Sequence, residues 1–170
     1  MSASRRVSLV AAGAVVLAVL AVSAATTAIR QLAGPPPTVV QYGYVRSLVA
    51  SGDAYRMRFD PALWLSGKTA NRAAVEDGVI PPGGAIPNDY YVRNETRKQL
   101  TYTVPRNARV TVVTNEFLSG VTSTRITVSE LAAIVKGRNP RNRKLYGPQL
   151  GFWVRIVGDR ATRLDQQYQP

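Results

Sequence analysis

Tyr55-Arg56-Met57-Arg58-Phe59-Asp60 alternates large apolar side chains with charged ones, residue by residue. That period of two belongs to a β-strand with one face buried and the other in water; a helix would scatter the same side chains around its surface. Upstream, Val39 to Ala50 is rich in β-branched and aromatic residues and ends at the turn signal Ser51-Gly52-Asp53. The two runs are therefore expected to form a β-hairpin.

The same pattern recurs toward the C-terminus. Tyr90 to Arg93 reads as a strand, and Leu100, Tyr102 and Val104 alternate with threonines as far as Pro105. Arg109 to Thr114 and Thr122 to Thr127 flank a turn at Ser119-Gly120. Phe152, Val154 and Ile156 share a strand face before a Gly158-Asp159 turn and a strand returning through Leu164. Three stretches read as helical. Asp60-Pro61 places a capping acid before a proline, predicting one short turn that carries Leu63, Trp64 and Leu65 into the core. Thr69 to Asp77 predicts a helix stopped by Gly78. Thr127 and Glu130 form a T-x-x-E capping box for a helix with Val128, Leu131, Ile134 and Val135 on one face and Gly137 as its stop. Pro81-Pro82-Gly83-Gly84 through Asn88 can only be a loop. The expected core is Tyr55, Met57, Phe59, Trp64, Leu131, Ile134, Phe152, Val154 and Ile156. The fold class is mainly β (α+β): a small antiparallel β-barrel or sandwich with two or three short helices, preceded by an N-terminal hydrophobic helix.

That last element rests on Arg5 and Arg6 followed by Val7 to Ile29, an uncharged run dominated by Ala, Val and Leu. At ~1.5 Å per residue such a run spans about 35 Å, enough for a hydrocarbon core of about 30 Å. It reads as an uncleaved signal-anchor, with cleavage before Ala25 as the alternative, because Val22-Ser23-Ala24 has the small-residue spacing of a cleavage site. Gly34-Pro35-Pro36-Pro37 would close the helix. The expected organisation is a signal-anchor or signal peptide over 1–29, a Pro-rich linker over 30–38 and an extracytoplasmic β-rich domain over 39–170. The chain would sit in the cell membrane as a single-pass protein with its C-terminal domain outside, or be secreted after cleavage.

Composition narrows the chemistry. There is no cysteine and no histidine, which removes disulfides, thiolate nucleophiles, histidine bases and the commonest metal ligands together. The formal charge is +12. Outside the cytoplasm that sign favours anionic lipid, acidic envelope polymer or an acidic envelope protein as partner, and nucleic acid is not expected. No cofactor and no metal is implied.

Ser66-Gly67-Lys68-Thr69 has the tail of a phosphate-binding loop, but Ala62 stands at the first glycine position and Leu63, Trp64 and Leu65 fill the space where backbone amides would cradle phosphate. Ser66 with Lys68, or two separated carboxylates such as Asp60 and Asp89, supply the groups of a small hydrolase. Glu76-Asp77 is the one adjacent acidic pair, at a helix end where solvated acids are ordinary. No sugar-binding aromatic cluster is evident in the sequence. The most distinctive soluble stretch runs from Lys136 through Arg138, Arg141 and Arg143 to Lys144, without an acid. Following a helix C-terminus, it reads either as a solvated loop that complements the helix dipole or as an anion-binding surface.

The Arg5-Arg6 anchor resembles, together with four motifs, exported and membrane-anchored proteins of high-GC Gram-positive bacteria that carry no established activity. The motifs are D-Y-Y-V-R-N at Asp89 to Asn94, I-T-V-S-E-L at Ile126 to Leu131, G-F-W-V-R-I-V-G-D at Gly151 to Asp159 and D-Q-Q-Y-Q-P at Asp165 to Pro170. The resemblance implies a bacterial envelope setting and adds no site. The expectation is a noncatalytic extracytoplasmic domain that binds an anionic envelope component or partner protein. The alternative is a small envelope hydrolase using carboxylates or the Ser/Lys pair.

Overall fold

The computed structural model describes residues 34–96, 98–116, 120–146 and 151–169. The apolar run over 7–29 lies outside them. No helix among the described residues is long and apolar enough to cross a membrane. Pro37–Pro170 forms one compact unit.

Its chain runs β1 (Thr38–Ser51), β2 (Ala54–Pro61), β3 (Leu63–Ser66), α1 (Gly67–Glu76), β4 (Tyr90–Arg93), β5 (Leu100–Pro105), β6 (Arg109–Glu116), β7 (Gly120–Ile126), α2 (Val128–Val135), β8 (Gly151–Val157) and β9 (Arg160–Gln166). The protein is mainly β. Seven strands form one sheet in the order β5-β2-β1-β8-β9-β6-β7, and a further pairing of β5 with β9 turns five of them into a ring. The opening hairpin forms as expected, with Leu48 opposite Met57 and Val45 opposite Phe59. Gly52, at φ 59°, makes its turn in a conformation that a Cβ would oppose.

The ring encloses the core. Met57, Phe59, Val104, Val110, Val112, Leu131, Phe152, Val154 and Leu164 are fully buried, with Tyr55, Ile134 and Ile156 beside them. Gly43 is required where β1 crosses β2, since a Cβ there would overlap the Asp60 carbonyl oxygen and the tip of the Phe59 ring. α2 lays Val128, Leu131 and Ile134 against this core.

Three expectations are corrected. The sheet is mixed rather than antiparallel, because β6 and β5 both run parallel to β9. Residues 63–65 extend as β3 instead of coiling, pairing with β4 through Trp64 opposite Val92 and Leu65 opposite Tyr91. Leu63 is consequently exposed, and Trp64 and Leu65 are only half-buried. A proline at a helix start is equally compatible with the extended geometry that a strand partner rewards. The helices described number two.

Both helices end as their glycines indicate. Gly78 and Gly137 have φ of 70° and 75°. The amides that follow return to the last turn, with Val79 donating to Ala74 at 2.8 Å and Arg138 to Ala133 at 2.9 Å, the paired bonds of a left-handed helix stop.

Candidate functional site: the cationic surfaces

The loop after α2 is built rather than loosely solvated. Asn139 clasps it from both sides: its amide donates to the Arg143 carbonyl at 2.7 Å, and its carbonyl accepts from the Arg143 amide at 3.0 Å. Asn142 takes a left-handed φ of 50°, a conformation asparagine tolerates better than most residues. The clasp turns the Arg143 side chain back onto Glu130, whose carboxylate is 4% exposed and accepts from the Arg143 guanidinium. Arg141 approaches the same carboxylate at 3.5 Å. Thr127 caps α2 by accepting from the Glu130 amide at 3.1 Å. The Glu130 side chain, expected to complete the capping box, serves the loop.

Of the five predicted cations, then, Arg141 and Arg143 answer a buried carboxylate. Lys136, Arg138 and Lys144 are exposed. The structure holds all five on one loop, but it does not turn all five outward as one surface.

A second cationic surface is assembled from separate strands. In β8, Phe152, Val154 and Ile156 point into the ring, so Arg155 points out. Arg155 lies directly opposite Arg163 of β9, and Arg163 lies opposite Arg109 of β6. Three arginines thus stand side by side across three strands. Arg125 of β7 sits one row along, opposite Thr111, and Arg160 is exposed at the start of β9. Directly opposed like charges on a sheet are destabilising. Asp165 is the one acid among the described strand positions of this face. It pairs with Arg163 and accepts from the Thr111 hydroxyl at 2.8 Å.

This row was hidden by a β-bulge. The register slips between Arg155 and Ile156, so Ala161 and Leu164 both face inward although three positions apart. Simple alternation fails there. The parallel pairing of β6 with β9 has no local sequence signal at all.

Elsewhere, Arg93 and Arg46 are answered by carboxylates. Arg93 ties β4 to α1 by bonding Glu76 at 2.9 Å, Asp77 at 2.8 Å and the Ala73 carbonyl at 2.9 Å. The Arg93 hydrogen bond holds the Asp77 carboxyl below the usual carboxylate range. Arg46 pairs with the buried Asp60, whose Oδ2 also accepts from Asn94 at 3.1 Å.

No local sequence signal marks the aromatic cluster that joins the β3–α1–β4 layer to the outer side of the ring. Trp64 stacks on Tyr90 at 4.4 Å with planes 6° apart, and it meets Tyr42 at 5.1 Å. Tyr42 in turn packs on Trp153 at 5.2 Å. Gly151 is required beneath Tyr42, whose hydroxyl a Cβ would strike. Burial, with the neighbouring Tyr44 hydroxyl, raises the Tyr42 pKa far above the ordinary phenol range, so it stays protonated. The rings are largely satisfied by one another, and the cluster reads as a second, smaller core.

Among the catalytic candidates, Ser66 is the exposed N-cap of α1 and makes no side-chain cap bond. No hydrogen bond joins it to the exposed Lys68. Glu76 and Asp77 are engaged by Arg93, and Asp60 by Arg46. Among the described residues no group of three or more acidic side chains gathers where a metal ion could be held. Clefts open among the described residues. One of about 230 Å³ is lined by Gln41, Leu63, Arg93 and Glu95. Another, of about 280 Å³, opens where β5 meets β9 and is lined by Asp53, Arg106, Asn107 and Arg160.

No protein-family model, curated protein or solved structure matches this chain.

Proposed function

We propose that the chain is a noncatalytic module of the bacterial envelope, membrane-tethered or secreted, that binds an anionic partner through the outer face of β8, β9 and β6. In this reading residues 7–29 form the hydrophobic helix that tethers or exports it. The strand ring is a small barrel filled by side chains, leaving ligand binding to its outer wall.

One observation carries the proposal: Arg155, Arg163 and Arg109 stand directly opposite one another with a single acid among them. A fold gains nothing from such a row, since opposed like charges cost stability. An anion laid across it removes the repulsion and gains charge-assisted hydrogen bonds from guanidinium groups. The loop cations Lys136, Arg138 and Lys144 add attraction from another part of the surface.

Retention of the full chain on immobilised polyphosphate tests this reading. The chain is expected to bind at low salt and to elute as screening rises. Replacing Arg109, Arg155 and Arg163 with Gln should move elution to markedly lower salt. Elution of that variant with wild type would remove the face from the account.

A further inference from the structure

We infer that the occupant of the arginine face is the anionic headgroup layer of a bilayer, and that the domain rests on it by the outer side of β8, β9 and β6. The inference deepens the anion-binding reading above and depends on it.

Two observations favour a bilayer over a soluble polymer. The first is what borders the arginines. The row does not end at Arg155: the next residue across the sheet is Val40 of β1, opposite Arg155, and Val40 is 51% exposed. Val157, half-buried, lies on the same outer face, opposite Thr38. Aliphatic side chains, Val40 exposed and Val157 half-buried, beside a row of guanidinium groups match a surface whose charged headgroups overlie hydrocarbon. A fully hydrated phosphate polymer gives the valines nothing to bury against.

The second is where the chain comes from. β1 opens this edge of the face at Thr38, immediately after Pro35-Pro36-Pro37. Upstream of that spacer lies the uncharged run Val7 to Ile29. Residues 30–37, as a polyproline helix at about 3.1 Å each, would reach about 25 Å. A short tether raises the effective concentration of membrane at the face, so a contact too weak to hold a free domain becomes sufficient.

The absence of cysteine makes one introduced thiol a clean reporter. Full chains carrying Val157→Cys, on the face, or Val79→Cys, in an exposed loop, are labelled with an environment-sensitive dye. They are then mixed with vesicles of phosphatidylcholine alone or of phosphatidylcholine with phosphatidylglycerol. The dye at 157 is expected to shift to the blue only with phosphatidylglycerol and to return as salt rises, while the dye at 79 stays unchanged. Replacing Arg109, Arg155 and Arg163 with Gln should weaken the shift on the order of a hundredfold in lipid concentration, at about a fivefold loss per arginine. The corresponding three Lys substitutions, which keep the charge, should restore most of it and show that the face is still folded.

Equal signals at 157 in both vesicle types, or a Gln variant that keeps the shift, would overturn the inference. So would soluble polyphosphate that abolishes the shift at phosphate concentrations far below those of the lipid, since the occupant would then be a polymer. A chain retained on polyphosphate but silent on vesicles loses the bilayer and keeps the anion-binding reading. A chain silent in both assays loses both.

Discussion

Arg143 in the loop after α2 and Arg155 on the outer wall of β8 are both guanidinium groups on a strongly basic chain, yet only the first is answered by a carboxylate. Arg143 is 19% exposed and bonded to Glu130, which is 4% exposed; the loop around it is folded by the Asn139 clasp to make that contact. Arg155 is exposed and faces Arg163, which faces Arg109. The first arrangement is what stability requires of a buried acid, and the second is what stability would avoid. A run of cations in sequence is thus a poor guide to a binding surface. Like charges brought directly opposite one another from distant strands, with too few acids to answer them, are a better one.

The largest effect that would blur this contrast comes from below the face. Phe152 is fully buried on the inner side of the strand that carries Arg155 outward. Phe152→Ala should destabilise the domain by about 3–5 kcal/mol, read as a lower midpoint in urea. An unchanged midpoint would mean that the strand faces are reversed and that Arg155 does not point out.

Next in size is the loop's own pair. Glu130→Gln removes the buried carboxylate that Arg143 and Arg141 answer, and should cost about 3 kcal/mol, the lower end of the range for breaking a buried pair because Arg143 keeps some contact with water. Binding to polyphosphate should hardly change in the folded protein. A stability loss below measurement would make the loop a solvated helix terminus after all.

Arg93 sharpens the contrast through pH. Its hydrogen bond to Asp77 depresses that carboxyl, so the linked stabilisation is present above the ordinary carboxylate pKa of about 4 and is lost as pH falls through the lower folded value. The difference in melting temperature between wild type and Arg93→Gln should therefore be full at neutral pH and shrink in acid. A difference independent of pH would assign Arg93 to packing and to its bond with the Ala73 carbonyl.

The smallest effect has the opposite sign. Arg155→Gln removes one opposed pair and should stabilise the domain by about 0.5 kcal/mol, visible as a slightly raised melting temperature at low salt that disappears at high salt. A lowered melting temperature would show that Arg155 has a structural partner.

Much of this was legible in the sequence wherever one residue's neighbours along the chain decide its state. The alternation at Tyr55, Met57 and Phe59, the Thr127 cap and the Gly78 and Gly137 stops are local rules, and the structure follows each. Residues 63–65 escaped because their state is decided by pairing with β4 about thirty residues away, where tertiary contact overrides a helical start signal. The aromatic cluster escaped for the same reason, since Tyr42, Trp64, Tyr90 and Trp153 come from four strands. Of the five loop cations the sequence located the loop but could not show that Arg141 and Arg143 turn toward Glu130. The arginine row required knowing both a bulge and a parallel pairing.

If the row of directly opposed arginines, with one acid among three, binds anions and the pair on buried Glu130 holds the fold, the two sets separate under substitution. The most direct test compares two full-chain variants on immobilised polyphosphate under one salt gradient: Arg109, Arg155 and Arg163 to Gln on the face, and Arg138, Arg141 and Arg143 to Gln on the loop. Each removes three charges, so net charge alone predicts equal shifts. The face variant should elute much earlier with an unchanged or raised melting temperature, and the loop variant should show a small elution shift with a clearly lowered one. Equal elution shifts, or the larger one in the loop variant, would contradict this separation.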